Sequence, residues 1–225
     1  MKVTLIESPN LAGMLCGDAA AICTSARNAR KALRHALVSG HTSVLEHAVY
    51  TFRVDGISRV TLAQLTRHRI ASFSVRSQRY VGVDDEDLII PKSVRESIHG
   101  DEAVCAMRYL MDIYQRLVED GVPCEDARYI TPQAVTTSLI LTMNARELLH
   151  FFSLRTCNRA QWEIRHLADE MLRLCMEDCP EIFRHAGPGC VVGTCPERKP
   201  CGHPRHPGEW STPCTRCASG GCTHS

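Results

Sequence analysis

The stretch from Arg67 to Arg79 carries the chain's densest group of side chains that can bind an anion. Four arginines, one histidine and three serines fall within thirteen residues: Arg67, His68, Arg69, Ser72, Ser74, Arg76, Ser77 and Arg79. Guanidinium groups this close repel one another unless an anion lies between them, and their planar fork suits bidentate binding of phosphate. A solvated arginine surface is the alternative, but the spacing favours a phosphate site.

Arginine supplies most of the positive charge along the 225 residues. Only four of the 26 basic residues are lysines. An arginine-rich genome also produces such a bias, so the position of the arginines favours an anion site more than their number does. The formal net charge of +1 excludes a chain that binds nucleic acid or anionic membranes over its whole surface.

The thirteen cysteines are unevenly placed, with five in the first 174 residues and eight in the last 51. Glycine, proline, cysteine and histidine dominate from residue 187 onward, so we expect a domain over 1–186 and a cysteine-rich tail over 187–225. Cys-x-x-Cys is half of a common zinc site. The candidate ligands are Cys190, Cys195, Cys201, Cys214, Cys217 and Cys222. A disordered thiol-rich tail, an iron–sulfur cluster and redox disulfides are the alternatives.

Apolar periodicity before residue 187 predicts both strands and helices. Strands are predicted over 1–7, 47–55 and 133–143, and helices over 19–37, 93–119 and 159–178. Ser58 should cap a helix that runs to about Leu65, and residues 71–80 should form an ordered loop. Asn144 should cap another helix, with Glu147 as the partner in a capping box.

These elements do not alternate regularly as βαβ units, so the sequence predicts an α+β fold. We expect a single domain in which long helices pack against a mixed or antiparallel sheet. The chain has no run of about 18 apolar residues and no signal-peptide pattern. It is therefore expected to be cytoplasmic and to have no membrane partner.

The arginine-rich stretch resembles the signature of flavin-dependent thymidylate synthases. Arg67-His68-Arg69 is followed after seven residues by Ser77, as in the Arg-His-Arg-x7-Ser motif of that family. The resemblance continues in order on both sides and covers roughly residues 1–185. It includes Gly40-His41, Glu46-His47, Gln64, Arg79-Tyr80, Arg128, Asn144-Ala-Arg146, Leu154-Arg155 and Ala160-Gln-Trp-Glu163.

The resemblance implies an FAD site. The residues implied to bind the cofactor are Ser43, Arg67, His68, Arg69, Val75, Asn144, Ala145, Arg146 and His150. A helix that begins after Asn144 would offer backbone N–H groups to an anion or a flavin edge. The chain has no Gly-x-Gly-x-x-Gly fingerprint, which argues against a Rossmann site.

The resemblance also implies a dUMP site. Its residues would be Gln64, Arg67, Val75, Arg76, Ser77, Gln78, Arg79, Arg128 and Arg155. Arg155 is the implied catalytic residue, because a nearby cation favours ionisation of the uracil N3. Ser77 is interpreted as a ligand-binding hydroxyl, since the surrounding arginines offer no base that would activate a nucleophile.

The implied reaction is the reductive methylation of dUMP to dTMP without an enzymic nucleophile. Reduced FAD would deliver hydride, methylenetetrahydrofolate would supply the carbon, and NADPH would reduce the flavin. The resemblance further implies a homotetramer with shared active sites and no nucleic-acid partner. The rival hypothesis is an RNA-binding module with the arginines on phosphates and the tail as a zinc knuckle.

The chain departs from the pattern at Val75, Arg76 and His150. Many relatives carry Glu or Gln at the position of Val75, an apolar residue at that of Arg76 and Asn at that of His150. A valine can contact a ligand by hydrogen bonding only through its backbone. These departures affect individual contacts more than the expected activity.

Overall fold

A computed structural model of the chain describes residues 1–82 and 88–205. The strands are β1 (Lys2–Glu7), β2 (Val49–Ser58), β3 (Ala71–Val75) and β4 (Thr136–Asn144). The helices are α1 (Ala12–Thr24), α2 (Ala29–Val38), α3 (Arg59–Leu65), α4 (Lys92–Arg95), α5 (Gly100–Glu119), α6 (Cys124–Ala127), α7 (Ala145–Arg155), α8 (Trp162–Asp178), α9 (Pro180–Phe183) and α10 (Gly189–Val192). Short 3-10 helices cover Thr42–His47 and Arg128–Ile130.

The strands form one four-stranded sheet in the order β1-β2-β4-β3. Every pairing is antiparallel, so the predicted α+β class is confirmed and the sheet is antiparallel rather than mixed. The central pair runs from Val49 opposite Asn144 to Ser58 opposite Thr136. Alternate residues of both strands are buried and join α1, α7 and α8 in the main core.

The single helix predicted over 19–37 is wrong, because two helices occupy this region. Helix α1 ends at Thr24, and its C-cap Ser25 has a φ of 54° in the left-handed region. Helix α2 begins after Asn28. The Asn28 side chain accepts a hydrogen bond from the Lys31 N–H at 2.9 Å, which is a capping contact typical of a new helix. A Cβ on Gly17 would lie 2.8 Å from the Ala29 carbonyl oxygen, so glycine permits the close approach of α1 and α2.

The loop predicted over 71–80 is wrong in its first half, where β3 pairs with β4. Its side chains alternate between half-buried and exposed positions. Ala71, Phe73 and Val75 pack against the main core, and Ser72 and Ser74 face outward. The period of two was present but weak, because serine and alanine contribute little hydrophobic contrast.

The long helix predicted over 93–119 is divided into α4 and α5, and the helix predicted to begin at 159 begins instead at Trp162. Helix α5 is the longest of the described helices, yet none of its residues from 101 to 110 is buried. Its second half packs Met111 and Tyr114 into a small separate cluster with Ala127 and Val135. The apolar residues that give α5 its helical periodicity therefore lie outside the main core.

A buried polar contact joins the end of β2 to the start of α8. Glu163 is 2% exposed and accepts hydrogen bonds from the Ser58 N–H at 2.7 Å and the Ser58 hydroxyl at 2.5 Å. The same hydroxyl accepts from the Thr61 N–H at 3.1 Å, which confirms the predicted cap of α3. Two hydrogen-bond donors compensate the burial of the Glu163 carboxylate. They hold the start of α3 against α8.

Residues 187–205 contact the preceding domain through a buried ion pair. Arg205 Nη1 lies 2.8 Å and 2.9 Å from the two oxygens of Asp169 on α8 and donates to the Thr156 carbonyl at 2.9 Å. Both residues of the pair are 8% exposed. The predicted boundary after residue 186 stays a prediction, and its second segment is attached to α8 at Arg205.

No helix within residues 1–82 and 88–205 combines the length and the apolar character needed to cross a lipid bilayer.

We predict that Arg205→Ala lowers the free energy of unfolding by about 3–5 kcal/mol at neutral pH, because it leaves a buried carboxylate without its partner. Burial raises the pKa of Asp169 to about 6, against the opposing effect of Arg205 and Arg165. Without Arg205 the pKa of Asp169 rises further. A carboxyl group whose pKa is raised in the folded state lowers the free energy of unfolding as the pH rises through that pKa. The deficit relative to wild type should therefore be larger at pH 8 than at pH 5 in denaturant titrations.

The matched control is Arg198→Ala, which removes an exposed arginine of the same segment and should change stability by less than about 0.5 kcal/mol. Equal losses in the two variants would contradict the importance of the Asp169 pair.

Candidate active site

A cleft of about 680 Å³ opens between the end of α3 and the length of α7. It brings together most of the residues predicted to bind FAD. Its walls are formed by Glu46, Arg67, His68, Arg69, Ile70, Asn144, Arg146, Glu147, His150, Leu154 and Arg155. The volume lies in the range of ligand-binding clefts.

Arg67 and Arg69 present exposed guanidinium groups at this cleft, on either side of the buried His68. Among the described residues, neither guanidinium has a protein acceptor. The helix end eases their repulsion only slightly, since a macrodipole contributes about 0.3–1 kcal/mol. The pair is thus arranged to receive an anion.

The start of α7 forms the opposite wall. Asn144 caps the helix by accepting a hydrogen bond from the Glu147 N–H at 2.9 Å, as predicted. The second half of the predicted capping box is wrong, because the Glu147 carboxylate contacts His68 Nδ1 at 3.2 Å instead of the Asn144 N–H. Arg146 extends into the cleft and pairs with Glu46 at 2.5 Å in an exposed contact.

Three other predicted FAD residues occupy different positions. Ser43 is exposed on the 3-10 helix that carries Glu46 and does not line the cleft. Ala145 is fully buried, and its N–H donates to the Ala48 carbonyl at 2.7 Å. Val75 ends β3 and is half-buried.

His150 lines the cleft, as predicted for an FAD-binding residue, and its ring centroid lies 6.0 Å from that of His68.

Arg155, the predicted catalytic residue, is held by two contacts at the end of α7. Its Nε–H donates to His68 Nε2 at 3.1 Å, and its Nη2 lies 3.5 Å from the Gln64 carbonyl. Partial burial lowers the pKa of Arg155, but an arginine remains protonated in proteins. The guanidinium is therefore a fixed positive charge in the cleft wall.

Burial lowers the pKa of His68 below its usual value. Its contact with Glu147 acts in the opposite direction, and the positive charge of Arg155 lowers the pKa further. His68 is therefore neutral at physiological pH.

A second basic group lies at the other end of α3. Arg79 Nε pairs with a Glu125 carboxylate oxygen at 2.7 Å, and Arg128 Nε donates to the Glu125 carbonyl at 3.1 Å. Arg76 Nη2 lies 3.3 Å from the Gly82 carbonyl. Three residues predicted to bind dUMP, Arg76, Arg79 and Arg128, thus lie on adjacent segments.

Arg59 belongs to this second group and was missed by the sequence analysis. It is half-buried, its Nη2 donates to the Arg76 carbonyl at 3.3 Å, and its Nε has no partner among the described residues. Burial is the main cause of the lowered pKa of Arg59, and the charges of Arg128 and Arg76 lower it further. A cation in the first turn of a helix opposes the macrodipole, which is the signal that could have marked Arg59.

Ser77 and Gln78 lie in the turn after β3. The Ser77 hydroxyl accepts a hydrogen bond from the Arg79 N–H at 3.1 Å. The Gln78 Nε2 is buried and has no partner among the described residues, so it is a donor available to a ligand. Gln64 lies on α3 between the two groups.

Helix α3 separates the two basic groups. Arg59 begins the helix, and Arg67 follows its last residue by two positions. Seven helical residues span roughly 10 Å. One short helix thus places the two basic groups at its two ends.

The predicted metal ligands divide into two sets. Within residues 1–82 and 88–205, no group of three or more His, Cys, Asp or Glu side chains is arranged to hold a metal ion. Cys190 Sγ accepts from the Arg205 N–H at 3.4 Å, and Cys201 Sγ contacts the backbone of His203. Cys214, Cys217 and Cys222 lie outside the described residues, so the zinc site stays a prediction.

Comparisons with known proteins found a family model and relatives that match most of the chain. Residues 4–181 match the model of the family described as thymidylate synthase complementing protein (Thy1). A flavin-dependent thymidylate synthase from Geobacter sulfurreducens is 56% identical over 161 residues, which cover 70% of this chain and 69% of that protein. The chain spans about two thirds of the length of several curated relatives with this name.

Two solved structures share the fold. The UMP/dUMP methylase PolB from Streptomyces cacaoi, bound with 5-Br dUMP, superposes with a TM-score of 0.71 at 28% identity over 81% of this chain and 92% of that chain. The flavin-dependent thymidylate synthase ThyX from Helicobacter pylori, complexed with FAD and dUMP, gives a TM-score of 0.70 at 23% identity over 83% and 100%. The chain therefore belongs to the family of flavin-dependent thymidylate synthases.

Proposed function

We propose that this chain catalyses the reductive methylation of dUMP to dTMP, with FAD as its cofactor. The observation that carries the proposal is the pair of arginine groups at the two ends of α3. The first group lines a cleft, and the second contacts Glu125 through Arg79 and Arg128. Relatives of this chain are named for the activity, and a structural neighbour is complexed with FAD and dUMP.

The cleft residues fit FAD. Arg67 and Arg69 are exposed at the cleft and lack protein acceptors among the described residues, so they are suited to hold the diphosphate. His68, Asn144, Arg146 and His150 form the remaining polar wall. Ser43, Val75 and Ala145 do not line the cleft of one chain, and a contact from them would come from a rearrangement or from a neighbouring subunit.

The second group fits the phosphate of dUMP. Arg79 already holds a carboxylate, but that pair is about half exposed on both sides and is worth about 0–1 kcal/mol. A doubly charged phosphate would replace it at little cost. Further donors would come from its neighbours: Arg59 contacts the Arg76 carbonyl, Arg128 contacts the Glu125 carbonyl, and Ser77 and Gln78 directly precede Arg79.

Arg155 acts on the pyrimidine in this proposal. Its fixed positive charge favours the ionised N3 of uracil and so polarises the ring toward attack at C6. Reduced FAD, when bound, supplies the hydride. Ser77 binds the nucleotide in this proposal and does not act as a nucleophile. Its hydroxyl accepts a hydrogen bond from the Arg79 N–H, and no base contacts it among the described residues. The reaction requires no enzymic nucleophile.

NADPH as the reductant and methylenetetrahydrofolate as the carbon donor complete the proposed reaction. The expected cytoplasmic location and the absence of a nucleic-acid partner remain predictions.

A homotetramer with shared active sites is also proposed. The first half of α5 buries no side chain within this chain, and Tyr109 is 61% exposed. At the cleft mouth, Ile70 is 67% and Leu154 is 49% exposed. Apolar groups in these positions favour burial against another subunit, which would also close the cleft.

We predict that the purified full chain is yellow and shows flavin absorbance that bleaches on addition of NADPH. Reoxidation of the flavin under anaerobic conditions should then require both dUMP and methylenetetrahydrofolate. Absorbance spectroscopy with product analysis checks this outcome. Colourless protein that retards RNA in a gel would instead support the RNA-binding hypothesis.

Arg155→Ala should reduce dTMP formation by at least about 10²-fold, in line with the loss of one group that stabilises developing charge. Bound FAD should remain largely in place, because Arg67 and Arg69 are unchanged. Turnover and flavin content are the measurements. Arg159→Ala, which removes an exposed arginine four residues later, is the matched control, and wild-type turnover in Arg155→Ala would remove the proposed role.

Arg59→Ala should raise the KM for dUMP by roughly 10- to 100-fold, since a charged hydrogen bond contributes about 1.5–3 kcal/mol. FAD content should not change, and the melting temperature should not fall, because the variant relieves repulsion with Arg76 and Arg128. Steady-state kinetics and thermal melting measure both effects. Arg53→Ala, which removes an exposed arginine, is the control variant. An unchanged KM for dUMP in Arg59→Ala would exclude Arg59 from the site.

A further inference from the structure

Three side chains from two segments form a continuous polar row along the wall of the cleft. His68 lies between Glu147 in the first turn of α7 and Arg155 in its last turn. Its Nδ1 is 3.2 Å from Glu147 Oε1 and its Nε2 is 3.1 Å from Arg155 Nε. His68 is 5% and Glu147 is 7% exposed, so water does not compete freely for these contacts.

The direction of the hydrogen bonds follows from the chemistry of arginine. The Nε of a guanidinium group only donates, so His68 Nε2 must carry a lone pair. A neutral imidazole then has its single proton on Nδ1, and this N–H donates to the Glu147 carboxylate, which only accepts. The buried position of His68 and the adjacent charge of Arg155 both favour the neutral ring.

The geometry also explains why Arg155 needs support. Arg155 lies eight positions after Glu147 along α7, which corresponds to about 12 Å. The His68 ring fills the space between their side chains. The other contact of Arg155 is the long one to the Gln64 carbonyl at 3.5 Å. The contact with His68 is therefore the stronger restraint on the plane of the guanidinium group.

We propose that Glu147 is a positioning residue that orients Arg155 by holding His68 in the Nδ1–H tautomer. With Glu147 in place, Nε2 is always an acceptor and the Nε–H of Arg155 is fixed against it. Without Glu147, His68 can place its proton on Nε2, and two N–H groups then face each other. Arg155 would turn away from the position required beside the pyrimidine. This inference rests on the proposed function.

The first test is ¹⁵N NMR of the wild-type holoprotein with ¹⁵N-labelled histidine and arginine. We expect His68 to show a protonated Nδ1 and an unprotonated Nε2, coupled to a slowly exchanging Nε–H of Arg155. A proton on Nε2, or a doubly protonated ring, overturns the proposal without the need for any variant. This measurement does not depend on turnover, so it remains informative if the proposed reaction is wrong.

The second test compares Glu147→Ala with Glu147→Gln. The Gln carbonyl can still accept from Nδ1–H, so this variant should stay within about threefold of the wild-type kcat, whereas Glu147→Ala should lose tenfold or more. Flavin content should be the same in both. A purely structural role predicts lower stability with equal kcat in the folded fraction, and that result would overturn the proposal.

A double-mutant cycle with Arg155→Ala identifies the route of the effect. Glu147→Ala should weaken dUMP binding about tenfold in the presence of Arg155, and less than twofold in its absence. Equal weakening in both backgrounds would show that Glu147 does not act through Arg155. If the wild-type protein binds neither flavin nor dUMP, the proposed function fails, while the NMR result still decides whether the polar row exists.

Discussion

Glu163 and Ser58 form the buried contact on which the positions of the other functional elements depend. Ser58 ends the central strand β2 and caps α3, and its backbone and hydroxyl both donate to the Glu163 carboxylate in the first turn of α8. The charge is buried at 2% exposure, which is tolerated because two donors compensate it. Removing either partner would release the start of α3 from α8.

Helix α3 transmits this restraint to both basic groups. Its first residue, Arg59, lies among Arg76 and Arg128, and the segment after its end carries Arg67 and Arg69. The opposite side of the cleft is provided by α7, whose start is fixed by the Asn144 cap and by pairing of β4 with β2. A displacement of α3 would therefore change the distance between the two anion groups and their relation to Arg155.

The concentration of like charges has a cost for the free chain. Arg59 is half-buried beside two other arginines, and burial together with their charges lowers its pKa. Such sites become favourable when a phosphate binds, because a ligand that binds only the folded state stabilises it. The arrangement is consistent with a protein in which ligand binding and stability are coupled at the same residues.

Local chemical patterns predicted much of this molecule. The motif Arg67-His68-Arg69 and the caps at Ser58 and Asn144 are short-range features, since a side chain caps or repels its near neighbours in almost any context. The errors occurred where a weak local pattern was decided by packing. Residues 71–75 form β3 because β4 provides the pairing partner. The chain turns at Ser25 between α1 and α2, and Gly17 then allows Ala29 of the second helix to lie close to the first.

The amino-acid sequence by itself determined which residues could bind anions, where α3 and α7 begin, and the α+β class. Only the tertiary structure decided which of those residues meet. Glu147 looked like the second half of a helix cap, but the fold turned its carboxylate toward His68, 79 residues away along the chain. Arg59 looked like an ordinary helix residue until α6 and β3 brought other arginines beside it. Contacts of this kind depend on the relative placement of distant segments, and local propensity contains no information about that placement.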